Sequence, residues 1–191
     1  MPHIPRHPVD EYAAWAMTLW FPSGRESLDK ASSEMMDLAV MGLGLAGEAL
    51  ETLEATVAAG PLDRLHATKE LGDSLYYWCV ACSRAGVEPS SAWPSENLFH
   101  EAPEPLSREA IVLAAARLAI AAGQCSEAIK KMIRDGADGS RMSAFLPECA
   151  ERWTQLCSAL GLSPAEVVLA NRAKLAGRVA RGTLRGDGND R

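Results

Sequence analysis

The chain has 191 residues and a mass of 20.4 kDa, the size of one domain or two very small ones. Hydrophobic residues make up 48% and aromatics only 6%, whereas 32 residues are alanine; that balance favours helices and excludes a β-sandwich or barrel. A net charge of -6 with a pI near 5.3 excludes a general binder of nucleic-acid polymers, and leaves nucleotides within reach only where a divalent metal supplies positive charge.

Residues 1–9, with three prolines and with His3 and His7, predict a loose arm. Asp10 is a candidate N-cap for a helix to about Trp20, which Phe21-Pro22-Ser23-Gly24 ends. A long helix fits from Ser32 or Ser33 to Ala59, and Gly60-Pro61 breaks the chain before a third helix from Leu62 to Ala85, capped by Gly86. Residues 87–106 carry Pro89, Pro94, Pro103 and Pro105 and predict a linker or an irregular excursion without helix. A fourth helix fits 107–134, and a turn at Gly136–Gly139 leads to a fifth over 143–160, with Pro147 set to delay its start. Ser163-Pro164-Ala165-Glu166 is a capping box opening a sixth helix to Ala180, and 181–191 is a Gly- and Arg-rich tail.

The predicted fold is all-α, a helical bundle in one domain built from two related hairpins. A first hairpin half spans 10–86, and a second hairpin with the closing helix spans 107–180. The repeat is read from Gly47-Glu-Ala-Leu-Glu51 against Gly123-Gln-Cys-Ser-Glu127, and from the equal Trp78-to-Gly86 and Trp153-to-Gly161 spacings. Five cysteines, an odd number in apolar surroundings, read as reduced small hydrophobes; Cys79-x-x-Cys82 lacks the second pair that a zinc set needs. No segment approaches 18 uninterrupted apolar residues and no signal-peptide core opens the chain, so the expectation is a cytoplasmic protein without a membrane partner.

The chemistry-bearing pattern is Glu48-x-x-Glu51 followed by Glu70-x-x-Asp73. On a helix each pair shares a face. Glu51 precedes Gly60 by the same interval as Glu70 follows Pro61, so an antiparallel hairpin sets Glu51 against Glu70 and Glu48 against Asp73. Four carboxylates converging between apolar helices repel one another and are costly to desolvate. A hard divalent cation with oxygen ligands, Mg²⁺ or Mn²⁺, resolves both problems. Gly42, Gly44 and Gly47 would let a neighbouring helix or a ligand approach. A di-iron site needs Glu-x-x-His, and His66 does not stand in that spacing. The second hairpin has Gln124, Glu127, Glu148 and Glu151 with Lys130, Lys131 and Arg134 nearby, and reads as a degenerate copy. Pairing about the turn sets Glu127 against Glu148, while the tryptophan alignment makes Glu148 the counterpart of Asp73; both registers remain open at this point.

GLAGEALETLEA followed by KELGDSLYYW resembles the E-x-x-E…E-x-x-D signature of the MazG-like all-α nucleoside triphosphate pyrophosphohydrolases. DEYAAWAMTLWFP resembles the first helix of phage-type members, and GLSPAEVVLANRAKLAGR their closing segment. Residues 87–160 depart from the compact pattern and are similar to the duplicated dimeric dUTPases. The resemblance implies hydrolysis of a (d)NTP to the monophosphate and pyrophosphate, with Glu48, Glu51, Glu70 and Asp73 as ligands of Mg²⁺ or Mn²⁺. Glu48 or Glu51 would serve as general base, and a homo-dimer or homo-tetramer is implied. It also implies substrate contacts from Asn171, Lys174 and Arg178, with Arg181, Arg185, Asp187, Asn189 and Arg191 in the tail. Trp15, Trp20 and Trp78 are candidates for stacking on the base. Likeness to the MazZ-like phage members suggests dGTP. The competing expectations are a pyrimidine-specific enzyme of the dUTPase kind and a non-catalytic helical module whose acidic cluster binds a metal or a partner.

Overall fold

The computed structural model describes residues 7–20, 29–94, 102–136 and 140–184, and every regular element among them is a helix. In chain order these are α1 (Pro8–Leu19), α2 (Lys30–Val57), α3 (Arg64–Ala85), α4 (Pro89–Ala92), α5 (Arg108–Asp135), α6 (Ser140–Ser143), α7 (Leu146–Ala159) and α8 (Pro164–Ala180).

Local capping chemistry explains where the ends differ from the sequence-based boundaries. The His7 ring accepts from the backbone N–H of Val9 and starts α1 ahead of Asp10, whose carboxylate instead accepts from Ser90 N at 2.8 Å, at the first turn of α4. Asp29 accepts from Ser32 N at 2.8 Å and opens α2 earlier than the serines, while Asp63 accepts from His66 N at 2.9 Å and opens α3 later than Leu62. Gly86 takes φ +67° and closes α3, as expected of a left-handed C-cap. Ser163 and Glu166 form the anticipated capping box. Pro147 lies in the first turn of α7, and a separate short turn, α6, precedes it. The segment expected to be a linker is more than that: it forms α4 and buries Trp93 between Trp78 and Trp153, with ring centroids 5.6 and 5.5 Å away.

The two longest helices, α2 and α5, pack against each other antiparallel. At one end Arg108 donates to the carbonyls of Thr56 (3.1 Å), Gly60 (2.6 Å) and Ala58, groups that the C-terminus of α2 cannot satisfy itself. Towards the other end Ser126 Oγ donates to the carbonyl of Gly42 at 2.7 Å. Helix α3 flanks α2, α7 flanks α5, and α1 and α8 close over α3. By length and composition α5 is apolar enough to cross a membrane; here it packs against α2 and α7.

Helices α3 and α7 are tied by a reciprocal pair of bonds. Trp78 Nε1 donates to Leu146 O at 3.0 Å, and Trp153 Nε1 donates to Leu71 O at 2.8 Å. Trp78 follows Leu71 by the same interval as Trp153 follows Leu146. The helix ends match as well: Val87 N donates to Cys82 O and Leu162 N to Cys157 O, both at 2.9 Å, around glycines with φ +67°. All five cysteines are buried and free, packed as small apolar groups. Trp78, only 2% exposed, belongs to this core and is not the stacking surface proposed from sequence.

Trp153→Phe would remove the indole N–H that ties α7 to the Leu71 carbonyl, which keeps the Ser74 hydroxyl as a donor at 2.8 Å. The expected loss is about 1 kcal/mol in urea unfolding, the net worth of a hydrogen bond. A loss below about 0.5 kcal/mol, the range of surface substitutions, would mean that the bond does not hold the two helices together.

Candidate functional site

The repeated i, i+3 spacing puts Glu48 and Glu51 on one face of α2, and α3 brings Glu70 opposite. One carboxylate oxygen from each of the three lies within 4.8 Å of the others. Around them the chain clears space. At Gly44 an added Cβ would lie 2.3 Å from the Tyr77 ring, so only glycine lets that ring rest on α2. At Gly47, adjacent to Glu48, an added Cβ would meet nothing within 4 Å, so the surface beside the carboxylates is open.

Asp73 is close enough for its charge to raise both Glu48 and Glu70, and α8 engages its carboxylate. Asn171 Nδ2 donates to Asp73 Oδ1 at 2.7 Å, and the Lys174 ammonium pairs with Oδ2. Asn171 is 2% exposed and its own Oδ1 accepts from the Tyr12 hydroxyl at 2.7 Å, so α1, α8 and α3 meet in one chain of hydrogen bonds. This approach depends on Gly72, where a Cβ would come within 2.8 Å of the Asn171 side chain. Gly72, Tyr12 and Tyr77 were missed by the sequence reading. A glycine inside an otherwise good helix costs about 1 kcal/mol against alanine, and at Gly72 that cost was the available signal of close packing.

Electrostatically the group is strained. Burial, then the charges of Asp73, Glu51 and Glu70, push the Glu48 carboxyl up to about 8, against a pull from Lys174. Glu70 is raised for the same reasons, burial first and Asp73 next, although His66 Nδ1 stands 3.3 Å from its Oε1. The donor set is all oxygen and carries uncompensated negative charge, which fits a hard divalent cation and not a soft one. Lys174 alone, committed to Asp73, does not neutralise it.

Of the residues named from sequence, the structure therefore gathers Glu48, Glu51, Glu70, Asp73, Asn171 and Lys174. Arg178 lies close enough to Tyr77 for its charge to lower that hydroxyl's proton affinity, against a stronger rise from burial. Trp15 packs 5.8 Å from the Tyr12 ring with the Arg172 guanidinium 5.0 Å above its own, so one face of the indole is already covered. Trp20 packs against Tyr76 and Tyr77. His3, Arg185, Asp187, Asn189 and Arg191 lie outside the described residues. Comparison of the chain with protein-family models, with curated proteins and with solved structures finds no match.

The raised carboxyl fixes the sign of a pH effect. Between about pH 4.5 and 8 the unfolded chain has released the Glu48 proton while the folded chain retains it, so the native state binds more protons and stability falls as pH rises. In EDTA the melting temperature should drop from pH 5.5 to pH 8, and Glu48→Gln should shrink that drop. A wild-type protein that melts higher at pH 8 would refute the assignment.

Proposed function

We propose that the protein is a divalent-cation-dependent hydrolase that cleaves a (deoxy)nucleoside triphosphate to the monophosphate and pyrophosphate. The observation that carries this reading is the meeting of Glu48, Glu51 and Glu70 within 4.8 Å, beside an Asp73 already oriented by Asn171 and Lys174. The resemblance of these segments to the MazG-like signature supplies the substrate class.

Glu48, Glu51 and Glu70, with Asp73 at their edge, would hold Mg²⁺ or Mn²⁺. Such an ion neutralises phosphate charge and lowers the pKa of a bound water. The chain's own groups supply the rest. Carboxylate oxygens of Glu48 or Glu51 would accept the proton of the attacking water, and both lie beside the open surface at Gly47. Asn171 and Tyr12 fix the Asp73 carboxylate in one rotamer, so that it is set before substrate arrives. Lys174, 19% exposed at its side chain, presents an ammonium at the rim of the acidic group, where it can pass from Asp73 to a phosphate oxygen. Arg178, on the same helix near Tyr77, extends this basic edge.

A homo-oligomer belongs to the same reading. Leu43 and Leu50 on α2, with Leu113 and Ile120 on α5, are each more than half exposed and leave apolar surface for a second copy. The base is read from the resemblance alone, with dGTP the expected preference.

With Mn²⁺ and a panel of eight nucleotides, the wild-type protein should yield monophosphate and pyrophosphate, fastest from dGTP. Glu51→Gln should lower turnover by about 100-fold or more with unchanged helical circular dichroism. Release of orthophosphate in place of pyrophosphate, or equal turnover in the variant, would overturn the proposal.

A further inference from the structure

The same face of the second hairpin carries a different chemistry. The intervals that pair Gly47 with Gly123 and Leu71 with Leu146 put Gln124 in the place of Glu48, Glu127 in that of Glu51, and Phe145 in that of Glu70. Between α5 and the α6–α7 turn these positions line a cavity of about 850 Å³, with Gly123, Gln124, Lys131, Arg134, Arg141 and Phe145 on its walls. Its lining sets Gln124 and Glu127 level with Ala144 and Phe145, the register of the tryptophan alignment and not of pairing about the turn.

Where the first hairpin concentrates negative charge, this cavity is cationic. Two carboxylates stand among its basic side chains and tether them. Glu127 pairs with Lys131 at 3.6 Å and with Lys130; Asp135 accepts from Arg134 Nε at 2.7 Å and Nη2 at 2.9 Å, and from Arg141 Nη1 at 3.3 Å. Lys131, Arg134 and Arg141 outnumber Glu127 and Asp135, and they stay 44%, 64% and 51% exposed at their side chains. Each keeps N–H donors for a further acceptor. Ile120, Ala128 and Phe145 give the cavity an apolar wall, and no Cβ narrows it at Gly123, where an added one would meet nothing within 4 Å. The volume lies in the range of small-molecule sites.

We propose that this cavity is a second nucleotide site that holds a nucleoside polyphosphate without a metal ion. Lys131, Arg134 and Arg141 take the phosphates and Phe145 takes the ring. Carboxylates bind a phosphate only through cations, whereas guanidinium and ammonium groups bind it directly. Replacing Glu48 and Glu70 by Gln124 and Phe145 therefore removes the need for a metal and adds an aromatic surface. The inference stands on the second hairpin and holds whether or not the first one is catalytic.

Titration calorimetry in EDTA tests it, with dGTP, inorganic triphosphate and a single-stranded 20-mer as separate probes. The expected result is dGTP binding, weaker binding of inorganic triphosphate, and a loss of at least tenfold for dGTP in both Lys131→Glu/Arg141→Glu and the milder Lys131→Ala/Arg141→Ala. Arg117→Ala, on α5 but outside this cavity, should bind dGTP as wild type does. No dGTP binding at millimolar concentration, a loss caused by Arg117→Ala in place of the double variants, or a tighter fit to the 20-mer would each overturn it. Because EDTA removes the cation that cleavage needs, a failure here is distinct from a failure of the hydrolase reading, which product analysis in Mn²⁺ decides.

Discussion

Mutual repulsion among Glu48, Glu51 and Glu70 is the constraint around which the rest of the molecule is arranged. Three carboxyl groups within 4.8 Å repel one another, and Glu48 rises to about 8 first through burial and then through the charges of Asp73, Glu51 and Glu70. A chain under pressure for stability alone would place alanine or leucine there, as it does elsewhere on α2. Retaining three acids is intelligible if the folded protein works with a cation bound, and the proposed hydrolase activity rests on that requirement.

The packing supplies the rigidity that the repulsion would otherwise undermine. The antiparallel α2–α5 pair, closed at one end by Arg108 on three carbonyls, gives α2 a stiff backing. Reciprocal tryptophan bonds lock α3, the helix that carries Glu70 and Asp73, to α7. Helix α8 then reaches across Gly72 to set Asp73 through Asn171 and Lys174. Site and core are thus coupled through α3, which carries acids on one face and the Trp78 bond on another.

Much of this was legible in the residues. Helical periodicity, Gly60-Pro61, Gly86 and the Ser163–Glu166 box marked the elements, because caps and breakers act locally. The mirrored spacing of the two acidic pairs about Gly60-Pro61 placed them together, because an antiparallel hairpin converts sequence interval into spatial level. What escaped were contacts whose partners lie far apart in the chain. Tyr12 reaching Asn171 and Trp93 wedged between Trp78 and Trp153 have no local periodicity to announce them. Trp78 looked like a stacking surface because an aromatic on a helix near acids carries no label of which face it points from. The short α4 escaped because four prolines outweigh one buried tryptophan in any local count.

The central claim is that the acidic trio exists to hold a divalent cation, and direct binding of Mn²⁺ tests it most plainly. Paramagnetic resonance of free Mn²⁺, titrated with protein at pH 8 in the absence of nucleotide, reports how much metal the chain takes up. The account predicts uptake by the wild-type protein and a loss of at least tenfold in affinity in Glu70→Gln, with the fold intact. A wild-type protein that leaves the Mn²⁺ signal unchanged, or a Glu70→Gln variant that binds equally well, would contradict it.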